Sequence, residues 1–366
     1  MHRKTGFSGL GAALTRRHFV QATAAIGLTL GGLPKAAFAS DAEEKQLNFY
    51  NWDTYIGETT LADFEEATGI AVKMDLFAEN DELFAKLREG NPGYDVIVPT
   101  SNWVARMAAA DMLAPLDHGR IPNIRHLDQR LMEDDAFDPG HKFSLPYMWG
   151  TIGIGYRKSK FPEPPSSLKW LYDSDKYSGR ISLMSECDFL LGMALKYLGH
   201  SLNSADAAQI AQAEALLIKQ KPHIKSFAED NGQDLLASGE VDLALEWSGD
   251  IAQLMAEDDD IGYVLPSEGG AMWQDTLAIP KGAPHPQNAH AFINFIHEPR
   301  VNADITRLVR YATPNQAALA QMDAAYMQNP AIFPPAALLA KSEMILYQGE
   351  QAISARQEAC TRIFAA

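Results

Sequence analysis

The sequence is poor in positive charge and in cysteine. Its 366 residues hold 47 Asp and Glu against 31 Lys and Arg, a formal net charge of −16. Five of the bases (Arg3, Lys4, Arg16, Arg17 and Lys35) precede the first acid, Asp41, so the rest of the chain carries 26 bases (31 less 5) against 47 acids, a net −21. Nucleic acid and anionic membranes both demand a basic footprint, so neither is expected as a partner. The surplus acid favours a cationic ligand only weakly, because it also serves solubility. Two cysteines, Cys187 and Cys360, are too few for a disulfide-stapled scaffold, and their sequence positions leave their pairing open.

Catalytic signatures are missing as well. There is no P-loop, no G-x-S-x-G elbow and no H-E-x-x-H. The glycines of "GTIGIG" stand in the wrong order for a dinucleotide fingerprint. His285, His290 and His297 are spaced five and seven apart, which does not stack ligands on one helix face. Cys187 has no histidine pattern that nominates it as a nucleophile. No enzyme activity, cofactor or metal is therefore expected.

The chain opens on an export leader. "TRRHFV" carries Arg16 and Arg17, followed by a modestly apolar stretch from Phe19 to Leu33 and then "KAAFAS". This is a basic region, a short apolar region and an A-x-A site inviting cleavage after Ala39. The paired arginines point to the bacterial route that exports folded proteins. The apolar stretch is shorter than the roughly 18 residues a membrane-spanning helix needs. A soluble periplasmic protein is expected once residues 1–39 are removed.

The remaining 327 residues (366 less 39) suggest about two domains. From Leu47, short apolar runs alternate with amphipathic segments. "LNFYN", "IAVKMDLF" and "YDVIVP" read as strands. "TTLADFEEATG", "NDELFAKLREG" and "SNWVARMAAADML" read as helices, the first closed by Gly69 and the last capped by Ser101. Strand alternating with helix implies an α/β domain with a parallel sheet. "FSLPYMWGTIGIGYRK" is a long apolar extended segment, read as a connector between lobes, and a second α/β series follows it.

In open α/β sheets, ligands bind beyond the carboxyl ends of the strands. Trp52, Asp53 and Tyr55 follow "NFYN", Thr100 follows "DVIVP", and Glu186 follows "RISLM". Trp247 and Asp250 follow "VDLALE", Trp273 and Asp275 precede "TLAIP", and Tyr311 precedes "ATPN". A single Trp most often packs a core, and an acid opening a helix is an ordinary cap. Here, however, three of the six Trp stand beside an acid at a strand terminus. A ring face attracts a cation by roughly 0.5–2 kcal/mol, and a carboxylate adds charge-assisted hydrogen bonds. Such pairs describe a site for alkylammonium.

Several motifs in order resemble the bacterial periplasmic spermidine/putrescine-binding proteins, the receptors of polyamine ABC importers. They are "FYNWDTYI", "FEEATGI", "YDVIVPTSNWV", "FSLPYMWGTIGIGY", "MALKYLG", "EWSGD", "EGGAMWQDTLAIP", "AFINFI" and "YATPN", spanning Leu47 to Asn315. The resemblance implies a two-lobed periplasmic binding protein fold of type II, each lobe a mixed sheet flanked by helices and discontinuous in sequence. Lobe 1 would be 41–150 plus 274–318 and lobe 2 would be 151–273 plus 319–366. It implies that Trp52 and Tyr55 are first-loop aromatics, that Thr100 is a hydroxyl contact, and that Trp247 packs on the aliphatic chain. It implies further that Trp273 and Asp275 clamp an amine, and that Tyr311, Glu186 and Asp250 are ligand positions, Asp250 typical of putrescine-type members. Three departures bear on the ligand: Asp53 where relatives have Ser or Thr, and Asn102 and Phe189 where the spermidine type has an aromatic and a second acid. Asp250 without an acid at 189 tilts toward a diamine, whereas Asp53 points to a longer or more highly charged ligand.

The leading reading is a binding protein that captures a polyamine between two lobes, as a monomer, and delivers it to an ABC permease in the inner membrane. Alternatives are the same scaffold holding another amine or an amino acid, a folded-exported enzyme, and a sensor for a membrane kinase. An amino acid would need a base near its carboxylate, which Arg106 or Arg310 would have to supply.

Overall fold

The computed structural model describes residues 43–133 and 136–366, and the expected leader at 1–39 lies outside the described residues. Among the described residues no helix is long and apolar enough to cross a membrane. Among the described residues eleven strands run in chain order: β1 (Gln46–Asn51), β2 (Ala71–Leu76), β3 (Val96–Ile97), β4 (Leu113–Ala114), β5 (Ser144–Arg157), β6 (Ile181–Met184), β7 (Ile224–Ala228), β8 (Leu243–Trp247), β9 (Ile261–Val264), β10 (Ala271–Pro280) and β11 (Glu343–Met344). They join in the order β2-β1-β3-β10-β5-β8-β6-β7, with β4 and β11 also on β10 and β9 also on β5.

The expected alternation of strand and helix produces two parallel groups. In the first, β1 is parallel to both β2 and β3. Helix Thr60–Thr68 connects β1 to β2 and ends at Gly69, whose φ of 70° suits a residue without a side chain. Its inward Phe64 meets Phe292 edge to face at 5.0 Å, and Phe292 meets Phe49 of β1 at 5.1 Å. Each such pair contributes about 0.5–1.5 kcal/mol beyond the area it buries. In the second group, β6 is parallel to β7 and β8.

Two long strands join the groups. β10 pairs with β3 at Ala278, and runs antiparallel to β5 from Ala271↔Ile152 to Ala278↔Ser144. β5 continues onto β8 and β9. The segment read as a connector is thus a 14-residue strand, almost wholly buried, crossing from one group to the other. Its glycines are explained by what crosses it: a Cβ at Gly150 would lie 2.7 Å from the Trp273 ring. Opposite that stretch the ladder shifts register between Asp275 and Thr276, a bulge of the kind that re-aims side chains beside functional sites.

Some expectations need correction. "YDVIVP" pairs only over Val96–Ile97, because Pro99 has no N–H and its carbonyl instead accepts from the Thr276 amide and hydroxyl, at 3.0 and 2.9 Å. Helix Ser101–Ala109 takes Thr100, not Ser101, as its N-terminal flanking residue, and the Thr100 hydroxyl makes no capping bond. β4, β7 and β11 have no counterpart in the sequence reading, and the helix expected to run through Leu113 stops at Ala109, with Leu113 in β4. The pairing question closes: Cys187 and Cys360 are bonded, with Cα atoms 6.0 Å apart, tying helix Cys187–Tyr197 to helix Glu350–Ala365.

Candidate functional site

A cavity opens where the carboxyl ends of β1, β7 and β8 face the bulge of β10, with about 450 Å³ of empty space when the solvent at its mouth is included. Nine residues singled out in the sequence line it: Trp52, Asp53, Tyr55, Thr100, Trp247, Asp250, Trp273, Asp275 and Tyr311. Glu186 does not. It is buried behind Thr100, where Asn80 Nδ2 donates to Thr100 Oγ1 at 2.9 Å and reaches Glu186 Oε1 at 3.4 Å. Burial, then repulsion from Asp188, Glu79 and Asp81, hold its carboxyl well above the usual range. Asn102 and Phe189 also lie outside the lining: Asn102 donates to Asp188 at 3.3 Å, and Phe189 packs edge-on against Trp247.

The aromatic residues form a continuous box. Trp247 meets Trp273 at 5.3 Å and 89°, Trp273 meets Tyr311 at 5.0 Å, and Tyr311 meets Tyr55 at 5.4 Å. Edge-to-face contacts hold the rings in fixed orientations and keep ring faces available to a guest. The box is possible because Gly249 has no side chain: a Cβ there would fall 2.4 Å from the Tyr311 ring. Trp52 is fixed separately, its indole N–H donating to the Val98 carbonyl at 2.9 Å. The turn that carries Asp53 and Tyr55 past it places Thr54 at φ 47°, a left-handed conformation that costs a β-branched residue about 1–2 kcal/mol.

The carboxylates carry the electrostatics. Asp275, only 6% exposed, accepts from Thr100 Oγ1 at 2.8 Å. Burial pushes its pKa up to about 7, against the lowering effects of Thr100 and of the Tyr55 hydroxyl. That hydroxyl lies close enough to Asp275 to act on it, yet is out of geometry for a formed hydrogen bond and has no other partner. Its oxygen lone pairs are open to a donor. Asp250 is raised by burial and lowered by the neighbouring Tyr311 hydroxyl. The Trp273 indole N–H is buried without an acceptor, and an ammonium supplies none.

Sequence reading missed Asp230, Gln233 and Thr54, which also line the cavity. Asp230 follows β7, and burial together with Asp250, Asp53 and Asp275 drives its pKa up. The available signal was the run "IKSFAED", an extended segment ending in acids like the strand ends already noted. Among the described residues, no three His, Cys, Asp or Glu stand close enough to hold a metal ion. Neither Arg106 nor Arg310 lines the cavity, and Arg106 is engaged by Glu350 at 2.8 Å.

This strand-end cavity in a mixed α/β sheet defines a binding protein, and comparison with known proteins agrees. Residues 59–334 match the family of bacterial extracellular solute-binding proteins. The chain belongs to that family, whose members are binding components of transport systems and not enzymes, and it works in the periplasm. It is 33% identical over 355 residues to the putrescine-binding periplasmic protein SpuD of Pseudomonas aeruginosa, covering 92% of this chain and 95% of that protein. It is 32% identical over 356 residues to the putrescine-binding periplasmic protein PotF of Escherichia coli, covering 92% and 96%. Among solved structures it resembles a putative spermidine/putrescine ABC transporter protein from Listeria monocytogenes, with a TM-score of 0.83 at 32% identity, covering 87% of this chain and 99% of that one. The fold is the two-lobed fold of periplasmic binding proteins.

Proposed function

We propose that the protein captures a polyamine of the putrescine–spermidine class in this cavity and delivers it, as a monomer, to an ABC permease in the inner membrane. The observation that carries the reading is the lining itself: an aromatic box with Asp53, Asp230, Asp250 and Asp275 and no Lys, Arg or His. Carboxylates neutralise ammonium groups, and ring faces accept both the cations and the methylenes between them. An amino-acid ligand would leave its own carboxylate facing those acids. The ligands in the relatives' printed names point the same way.

The lobe boundaries, 41–150 plus 274–318 and 151–273 plus 319–366, are part of the proposal. β10 pairs with β3 of the first group, β5 pairs with β8 of the second, and the two pair with each other, which makes them the natural hinge. Export as a folded protein under the leader at 1–39 belongs to the same proposal.

The test is calorimetric titration of the chain lacking residues 1–39, unfolded and refolded to strip carried-over ligand. Putrescine, cadaverine, spermidine and spermine are compared with γ-aminobutyrate. The expected result is a Kd near 1 μM or tighter, about −8 kcal/mol, for at least one polyamine and none for the zwitterion. Folded protein that binds no polyamine would overturn the reading.

A further inference from the structure

The cavity carries more carboxyl groups than a diamine can pair. Asp53, Asp230, Asp250 and Asp275 all line it, and among the described residues no Lys, Arg or His pairs with any of them. A diamine matches two carboxylates and leaves two facing each other in a partly dry space, where they repel or must take up protons. The four do not gather around one point, since no three of them are placed to hold a metal ion. They are graded in depth instead. Asp275 is buried beside Thr100, Asp250 and Asp230 are half-buried, and Asp53 is exposed.

The outer two have a second neighbourhood. Asp53 and Asp230 also line an open depression of about 750 Å³, whose remaining acids are Glu82 and Glu229 and whose wall includes Leu76 and Phe77. Cavity and vestibule thus meet at one pair of carboxylates. At the inner end the Tyr55 hydroxyl, on a residue 5% exposed, faces Asp275, and its oxygen lone pairs can accept from a ligand N–H. The arrangement is a track: an acceptor and a carboxylate inside, an aromatic box, a carboxylate pair at the opening, and acidic and apolar surface beyond.

We infer that the protein selects polyamines with three or more ammonium groups over diamines, the outermost ammonium in the cavity lying between Asp53 and Asp230 where it opens into the vestibule. The inference rests on the reading of the cavity as a polyamine site and assigns Asp230, with Asp53, as the pair that sets ligand length. A longer amine places a positive charge at the opening and methylenes on the box, and it leaves fewer carboxylates unmatched.

The experiment compares putrescine, spermidine and spermine on ligand-stripped protein near neutral pH, at fixed ionic strength, for the unmodified chain, Asp230→Asn and Asp53→Asn. Spermidine or spermine is expected to bind at least about tenfold tighter than putrescine. Asp230→Asn is expected to narrow that ratio at least about fivefold, and Asp53→Asn, at an exposed position where folding is not at risk, to narrow it in the same direction. Putrescine binding as tightly as the longer amines, or a ratio unchanged in both variants, overturns this inference and leaves the polyamine reading standing. Absence of binding to every amine overturns both.

Discussion

Asp275→Asn separates charge from shape at the inner end of the cavity. The amide has nearly the carboxylate's size and keeps an acceptor for the Thr100 hydroxyl, now 2.8 Å away, so the bulge and the aromatic box should persist. A charge-assisted hydrogen bond to a buried partner is worth about 1.5–3 kcal/mol, so the variant should bind amines roughly 10- to 150-fold more weakly. The pH dependence sharpens the test. Burial raises Asp275 to about 7, whereas the ligand's amines, like lysine, stay charged up to roughly pH 10. Only the ionised carboxylate clamps an ammonium, and its fraction is about one half at pH 7 and about one eleventh at pH 6. Affinity should therefore fall about fivefold between those values through this group alone, and less steeply in the variant. Calorimetry in two buffers of different ionisation enthalpy reads the affinity and the protons released together. Equal affinity of variant and unmodified protein, or an unchanged pH slope, would refute the reasoning.

Three further outcomes are expected. Asp230, Asp250 and Asp275 all have folded pKa values above their unfolded value of 3.8, so the folded state binds more protons. Ligand-free stability should thus be greatest below about pH 4 with respect to these groups, and fall as pH rises toward 7 to 8; thermal unfolding that improves over this window would contradict it. Gly249→Ala drives a methyl into the Tyr311 ring and should weaken amine binding about tenfold or more while circular dichroism stays native; unaltered affinity would mean the box tolerates displacement. Replacing Cys187 and Cys360 together by Ser frees a loop closed across 173 positions and should lower stability by up to about 5 kcal/mol in urea titrations. An unchanged unfolding midpoint would show that the bond is not a stabilising link.

Much of the fold was legible because its signals are local. The 3.6 and 2.0 periodicities and the closing Gly69 identified the alternating helices and strands, and the strand ends then identified where to look for chemistry. β7 escaped because "IKSFA" mixes Lys and Ser into a short strand and lacks the continuous apolar signature of its neighbours. Asp230 escaped with it. Thr100 was legible as a hydroxyl at a strand end but its partner was not: only the approach of β10 brings it to Asp275. Glu186 stands outside the lining for the complementary reason, since a strand-end acid is indistinguishable in sequence from one buried a layer deeper behind Asn80.

By itself the sequence determined that aromatic and acidic residues without a base stand at the strand ends, which is the ground of the proposed ligand class. That follows because charge and ring type are properties of residues, and strand ends are marked by local pattern. The tertiary structure decided which acids share one volume. Thr100 and Asp275 are 175 positions apart and meet because β10 enters the sheet antiparallel beside β3. Cys187 and Cys360 meet across 173 because the last helix packs on the helix that follows β6. Such proximities depend on strand order and register, and no local pattern encodes either.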